Sequence, residues 1–397
     1  MVEAVAASAP VSTSLRDRLL VVAFMFGHFT HHVTNTLLTP LLPLMRDSFG
    51  LSYAQSGFLV SAFSVSQGLS QAPIGVLADR VGSRVVVTVG LILTGAMCFL
   101  IGLAGDYAQL LILLIGLGII AGTYHAPAAA LLAQVFAPHR RGSVLGMHTL
   151  GGNFSFLATP LVAGGLTAMT LTWHTPYLAF AVAPVIAGLG LMLVLPQTTE
   201  RSRGGTGLQL FHELAGVFRV VGGLISVAIV FQMLYAATTA FLALYLVDAR
   251  GFERPAAAVL VGAPYLAGMV GSPVGGWLSD RLGRKPVIVA TLVCTGPLLL
   301  LLTIVPTLFI IPIMILMGFA GSMRMPVIEG LLLDRAPAER RATTLGAYYL
   351  VAQELGGLFA PALGVMSQAI GIGEAFTVVG GVAAALSLGL LVIQHRL

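Results

Sequence analysis

Only one lysine occurs in the chain, Lys285, and Pro286 follows it. A nucleotide-phosphate loop needs Gly-Lys followed by Ser or Thr to cradle phosphates and magnesium, so no such ATP site exists here. Lys285 also lies in a polar loop, which excludes a Schiff base inside a membrane. Charge of either sign is scarce: Asp, Glu, Lys and Arg make up 9% of the residues, against 57% hydrophobic. A globule of this size cannot cover its surface in water with so few charges, and lipid is the natural solvent. The two cysteines, Cys98 and Cys294, fall in separate apolar stretches. They read as packed or lipid-facing thiols rather than as a disulfide or metal pair. No cofactor and no resident metal are expected.

What is present is a series of twelve apolar stretches, at 19–45, 53–77, 85–104, 108–136, 143–168, 176–196, 220–247, 256–278, 287–305, 308–332, 342–368 and 375–394. Each approaches or exceeds the roughly 20 residues a helix needs to cross the hydrocarbon core. A barrel would instead show alternating segments of about ten residues, which are absent. The first stretch follows Arg16, Asp17 and Arg18. It is too long for the apolar region of a signal peptide and no A-x-A site follows it, so it reads as a retained first helix. With the N-terminus in the cytoplasm, 16 of the 20 Lys and Arg residues fall on the cytoplasmic side, Arg46, Arg250 and Arg254 fall outside, and Arg324 lies within a span. That is the bias expected of a cell (inner) membrane protein with both termini cytoplasmic. The net charge of +5 follows from this bias and from contact with anionic lipid, and is no argument for nucleic acid.

The chain repeats itself. Gly75, Asp79, Arg80, Gly82 and Arg84 in GVLADRVGSR recur as Gly276, Asp280, Arg281, Gly283 and Lys285 in GWLSDRLGRK, displaced by 201 residues. Arg141, Leu145 and Gly146 recur as Arg341, Leu345 and Gly346 at an offset of 200. The expected organisation is a short cytoplasmic N-terminus (1–18), a six-helix bundle (19–196), a polar cytoplasmic linker (197–219) and a second six-helix bundle (220–397), the two related by an axis along the membrane normal. In each loop Gly permits a tight turn, the acid suits a helix N-terminus, and the Arg can pair with it; a conformational latch is the functional reading.

These loops resemble the signature of the major facilitator superfamily over essentially the whole chain. The resemblance implies an all-α fold of twelve membrane helices in two pseudo-symmetric bundles, working by alternating access with a central cavity lined by helices 1, 4, 7 and 10. It implies a monomeric transporter rather than an enzyme, with a small-molecule substrate.

Polar groups at membrane depth are functional candidates because each is costly there. His28, His31, His32 and Asn35 stand at spacings of 3, 4 and 7 and share one face of the first helix. Three readings stay open for that face: titration of protons or binding of substrate, hydrogen bonding between helices, and a path for a transition metal. His125 stands two residues before Pro127, where a local helix break is expected. His148 and Asn153 flank Gly151 and Gly152, which permit close helix contact. In the second half Arg324 and Glu354 lie at similar depth and are candidates for a switchable pair.

The position of His28 before Pro43, the His125 and Pro127 pair, and GGNF at 151–154 resemble the fosmidomycin-resistance branch of bacterial drug exporters. That resemblance implies proton-coupled antiport, with protons as the coupling ion. Where that branch reads His-x-x-Asn-Asp, this chain has His28, His31 and His32, without the carboxylate. A proton-linked uptake symporter for an organic acid or sugar is the alternative.

Overall fold

The computed structural model describes residues 15–196, 207–335, 348 and 355–393. Among these there is helix and no strand, as apolar segments must be when no solvent is available to their N–H and C=O groups. In chain order the helices are α1 (Leu15–Thr36), α2 (Leu38–Phe49), α3 (Tyr53–Val81), α4 (Ser83–Ile101), α5 (Tyr107–Ala121), α6 (His125–Val135), α7 (Pro138–Thr170), α8 (His174–Phe180) and α9 (Val182–Val194). They continue as α10 (Gly207–Ala240), α11 (Leu242–Asp248), α12 (Arg254–Leu260), α13 (Ala263–Leu282), α14 (Arg284–Ile304), α15 (Ile310–Arg335), α16 (Phe359–Ile370) and α17 (Ile372–Ile393).

Eight helical segments of this set are long and apolar enough to cross a membrane. Several expected spans are divided in two. The breaks at Leu37, at Gly122–Tyr124, at Ala181 and at Val261–Gly262 each precede a proline, at 40, 127, 184 and 264. A proline has no N–H for the carbonyl four residues earlier, and its ring crowds that carbonyl, so the ladder opens one turn upstream. The break at Phe241 has no such proline. The polar stretch expected as linker is helical from Gly207 onward; residues 197–206 lie outside the described residues. Arg341, Leu345, Gly346 and Glu354 lie outside them as well.

Small residues let the helices approach. A Cβ on Gly118 of α5 would stand 2.3 Å from the Phe63 carbonyl oxygen of α3, and one on Gly275 of α13 would stand 2.3 Å from the Met323 carbonyl oxygen of α15. Both distances are impossible for a real side chain, so these pairs pack backbone to backbone. The outward surface is apolar: Met169, Leu193 and Leu308 are at least 80% exposed.

The first and second parts of the chain meet along two seams. In one, Gly57 and Tyr53 of α3 lie against Ala360 and Gly364 of α16; in the other, Gly164 of α7 lies against Pro255 and Val259 of α12. Charged groups close the same end. Arg46 pairs with Asp248, Arg254 pairs with Asp47, and the Tyr53 hydroxyl donates to Asp248 at 2.7 Å. Both ion pairs, Arg46 with Asp248 and Arg254 with Asp47, join the two parts at this end.

Candidate functional site

The α1 face holds together as the spacing predicts, and it meets α6 and α7. His28, His32 and His125 place ring nitrogens within 4.8 Å of one another. The His28 and His32 ring centroids are 4.6 Å apart, and the His125 ring lies 5.4 Å from the first and 5.1 Å from the second. His31 reaches the same point from behind: its Nε2 meets His125 Nε2 at 3.2 Å and Asn35 Nδ2 at 3.2 Å. A contact between two ring nitrogens needs one N–H and one lone pair, so a single proton occupies that line.

The α7 backbone fixes His28. Its Nδ1 donates to the His148 carbonyl at 2.8 Å, and its ring stacks on the His148 ring at 4.0 Å. A carbonyl can only accept, so the proton of neutral His28 sits on Nδ1 and the lone pair on Nε2. That Nε2 is buried and has no hydrogen-bond partner among the described residues. The approach is possible because residue 152 is glycine: a Cβ there would lie 2.6 Å from His28 Cε1. A Cβ on Gly151 would lie 2.3 Å from the Met25 carbonyl oxygen.

Tyr124, which the sequence reading did not single out, completes the packing. Its hydroxyl donates to the Phe24 carbonyl at 3.2 Å and meets His148 Nε2 at 3.2 Å, and its ring stacks on His31 at 4.7 Å. Its signal in the sequence was adjacency to His125 at the helix break.

One wall of this cluster leads to a cavity. Phe156 lies 4.9 Å from the His32 ring on one side and 5.0 Å from the Tyr265 ring on the other. The cavity holds about 150 Å³ and is lined by Asn35, Thr39, Phe156 and Pro160 from the first part of the chain, and by Thr239 and Tyr265 from the second. A larger hollow of about 430 Å³, lined by Tyr245, Arg250 and Glu374, involves the second part alone.

Arg324 sits apart from the histidines in α15. It is 2% exposed, and its Nη1 and Nη2 donate to Thr295 Oγ1 at 3.2 Å and to Gln232 Oε1 at 3.1 Å. Asn153 is exposed on α7 and does not join the cluster.

The loop motifs lie where α3 meets α4 and α13 meets α14. Gly82 and Gly283 have φ of 95° and 86°, a region that L-residues avoid, which explains glycine at both. Gly75 and Gly276 face open space and have no packing reason here. Asp79 is half-buried and Arg80 exposed; Asp280 is exposed, as is Arg281, whose guanidinium lies 4.2 Å from the centre of the Trp277 ring. Arg84 ties α4 to α9 by donating to the Met192 carbonyl at 2.6 Å.

Residues 24–361 and 224–396 match the family model described as Major Facilitator Superfamily. The chain belongs to this superfamily. With its apolar helices, this facilitator is a multi-pass membrane protein and a transporter rather than an enzyme. The fosmidomycin resistance protein of Escherichia coli (strain K12) is 23% identical over 375 residues, covering 92% of this chain and 90% of the relative. The multidrug resistance protein MdtG of Citrobacter koseri is 26% identical over 380 residues, covering 92% of each. The hexuronate transporter of Bacillus subtilis (strain 168) is 25% identical over 285 residues, 68% of this chain and 66% of the relative. A bacterial homologue of the human lysosomal transporter Spinster, solved inward-facing and unoccupied, superposes with a TM-score of 0.78 at 18% identity, covering 97% of this chain and 96% of that one.

Proposed function

We propose that this facilitator is a monomeric secondary active transporter that exports a small organic or drug-like compound in exchange for protons. Its twelve spans form two six-helix bundles of like orientation with both termini in the cytoplasm, and it works by alternating access. The observation that carries the reading is the cavity bounded by both parts of the chain, with the histidine cluster behind Phe156 and Asn35. The names of the Escherichia coli and Citrobacter koseri relatives favour export.

In this reading His28 Nε2 is the nitrogen that takes a proton first, since its lone pair has no other partner among the described residues. The proton is shared onward through His32, His125 and His31, whose rings are in contact. Charging the cluster in a low-dielectric site changes the relative stability of states in which it faces one side or the other. The sealed end at Arg46 and Asp248 is then the outer face, and the opposite end the cytoplasmic one. Asp79 and Asp280 act in switching rather than in substrate binding, and Glu354 is a further candidate proton carrier.

A second reading, uptake of an organic anion with a proton, has its own support. Arg324 is a fixed positive charge whose hydrogen-bond partners among the described residues, Thr295 and Gln232, are neutral, and a relative is named a hexuronate transporter. A compound screen in proteoliposomes, with and without an imposed pH gradient of either sign, separates the two. Export predicts accumulation when the compartment that receives the compound is the acidic one, and symport predicts the reverse. No response to the gradient for any transported compound would leave facilitated diffusion.

A further inference from the structure

We propose that His28, His32 and His125 form a binding site for a divalent first-row transition ion such as Zn²⁺, with the fourth position open to water or an anion. The site lies behind Phe156, which lines the cavity invoked above, and so rests on that region being a place where ligands bind. It does not depend on which organic compound is carried.

Three observations converge. The first is number and kind of donor: three imidazoles from two helices place their nitrogens within 4.8 Å of one another. Imidazole is the ligand that zinc, copper and nickel share, and three such ligands plus an exchangeable fourth position is a known zinc arrangement. The second is closeness of fit. With metal–nitrogen distances of about 2.0–2.1 Å, tetrahedral nitrogens stand ~3.4 Å apart. From the 4.8 Å limit the nitrogens need to close by about 1.4 Å at most, which side-chain rotations supply.

The third observation is the state of His28. It is 7% exposed, and its Nδ1–H is held by the His148 carbonyl at 2.8 Å. Its Nε2 lone pair is left unpartnered among the described residues. A backbone carbonyl on the far nitrogen is the arrangement that fixes tautomer and ring orientation in metal-binding histidines. A buried acceptor with no donor is also costly, and a metal ion removes that cost. His31 stands behind His125 at 3.2 Å between ring nitrogens and serves as a positioning residue for it. Among the described residues no carboxylate joins the three imidazoles, so the open position favours an anionic fourth ligand.

The test uses tag-free, full-length protein in detergent, stripped with a chelator and titrated with Zn²⁺ alone, with bound metal counted directly. Co²⁺ serves as a spectroscopic probe of tetrahedral coordination. One equivalent per chain is expected, with an affinity that falls at least about tenfold in each of His28→Gln, His32→Gln and His125→Gln. His174→Gln, whose ring instead meets the Gly102 carbonyl, should retain it. If a cluster variant fails to fold, the unaltered protein still decides the matter: Zn²⁺ should raise its unfolding temperature saturably. The proposal is overturned if the unaltered protein binds no stoichiometric Zn²⁺, if the three cluster variants bind as it does, or if His174→Gln loses the ion equally. Proton-driven transport of an organic compound in chelator-treated vesicles is read separately. Its survival without metal binding would sink only the metal site, and its absence with metal binding intact would sink only the organic-exporter reading.

Discussion

The two parts of the chain turn at equivalent glycines but bury different chemistry. Gly82 and Gly283 both take φ near 90° and both accept the end of the preceding helix, their N–H groups donating to the Ala78 and Ser279 carbonyls at 2.8 and 2.9 Å. At the polar centre the likeness ends. The first part buries imidazoles in mutual contact, whereas the second buries the guanidinium of Arg324 against a threonine and a glutamine. Arginine keeps its charge and offers only donors, while a neutral imidazole offers a lone pair to a proton or a metal ion. The repeat therefore preserves a backbone requirement, and on the readings proposed above the two centres answer different ligands: an anion on one side, a proton or metal on the other.

The largest expected effect breaks the fixed charge. Arg324→Gln removes about 1.5–3 kcal/mol of charge-assisted hydrogen bonding, so transport of an anionic or polar substrate should fall roughly tenfold to a hundredfold. Loss of that size in proteoliposomes, with monodisperse folded protein, is the expected result; unchanged transport would remove Arg324 from the site. His28→Gln together with His32→Gln should instead spare exchange without a gradient and abolish the response to one.

Next comes the packing beneath the imidazoles. Gly152→Ala drives a methyl into the His28 ring, with 2.6 Å available, and overpacking of this kind costs about 1–3 kcal/mol. Thermal unfolding should fall by several degrees, and the pH response of transport should shift because His28 is displaced. A methyl accepted without either change would show that the α1–α7 contact is looser than described.

Gly82→Ala and Gly283→Ala sharpen the comparison from its conserved side. Each forces an L-residue into a positive-φ region at a cost of order 1–3 kcal/mol, and the two variants should lose similar thermal stability. A large loss in one alone would mean that the loops are not mechanically equivalent.

The smallest effect concerns the join between the parts. Asp248→Asn weakens the pair with Arg46 and the bond from Tyr53. Partly exposed ion pairs contribute about 0.2–1 kcal/mol, so the population open at that end should rise by roughly fivefold at most. Distances between spin labels on α2 and α11 would report it.

Much of this was legible in the sequence, for identifiable reasons. Apolar run length located the helical segments, and the 3, 4 and 7 spacing of His28, His31, His32 and Asn35 put them on one face without any tertiary information. Pro127 foretold the break before His125. The partners of those groups were not legible. That the His148 carbonyl rather than its ring holds His28 depends on how closely α7 approaches, and Tyr124 enters only because the break turns its ring inward. The charges of Arg46, Asp47, Asp248 and Arg254 were visible as loop residues, but their pairing joins positions about 200 apart, which no local pattern encodes. The division of α8 from α9 was missed although Pro184 marked it.

The Gly152 contact bears on how the molecule moves. With no room between the α7 backbone and the His28 ring, and with the His148 carbonyl holding the ring's proton, α1 and α7 are coupled like two meshed gears with no play. Any rocking of the first part carries the imidazoles along as a single rigid tray. In the proposed cycle whatever rests on that tray keeps its nearest contacts throughout, so the energy that distinguishes one state from the other is expected at its rim, where Phe156 stacks on Tyr265.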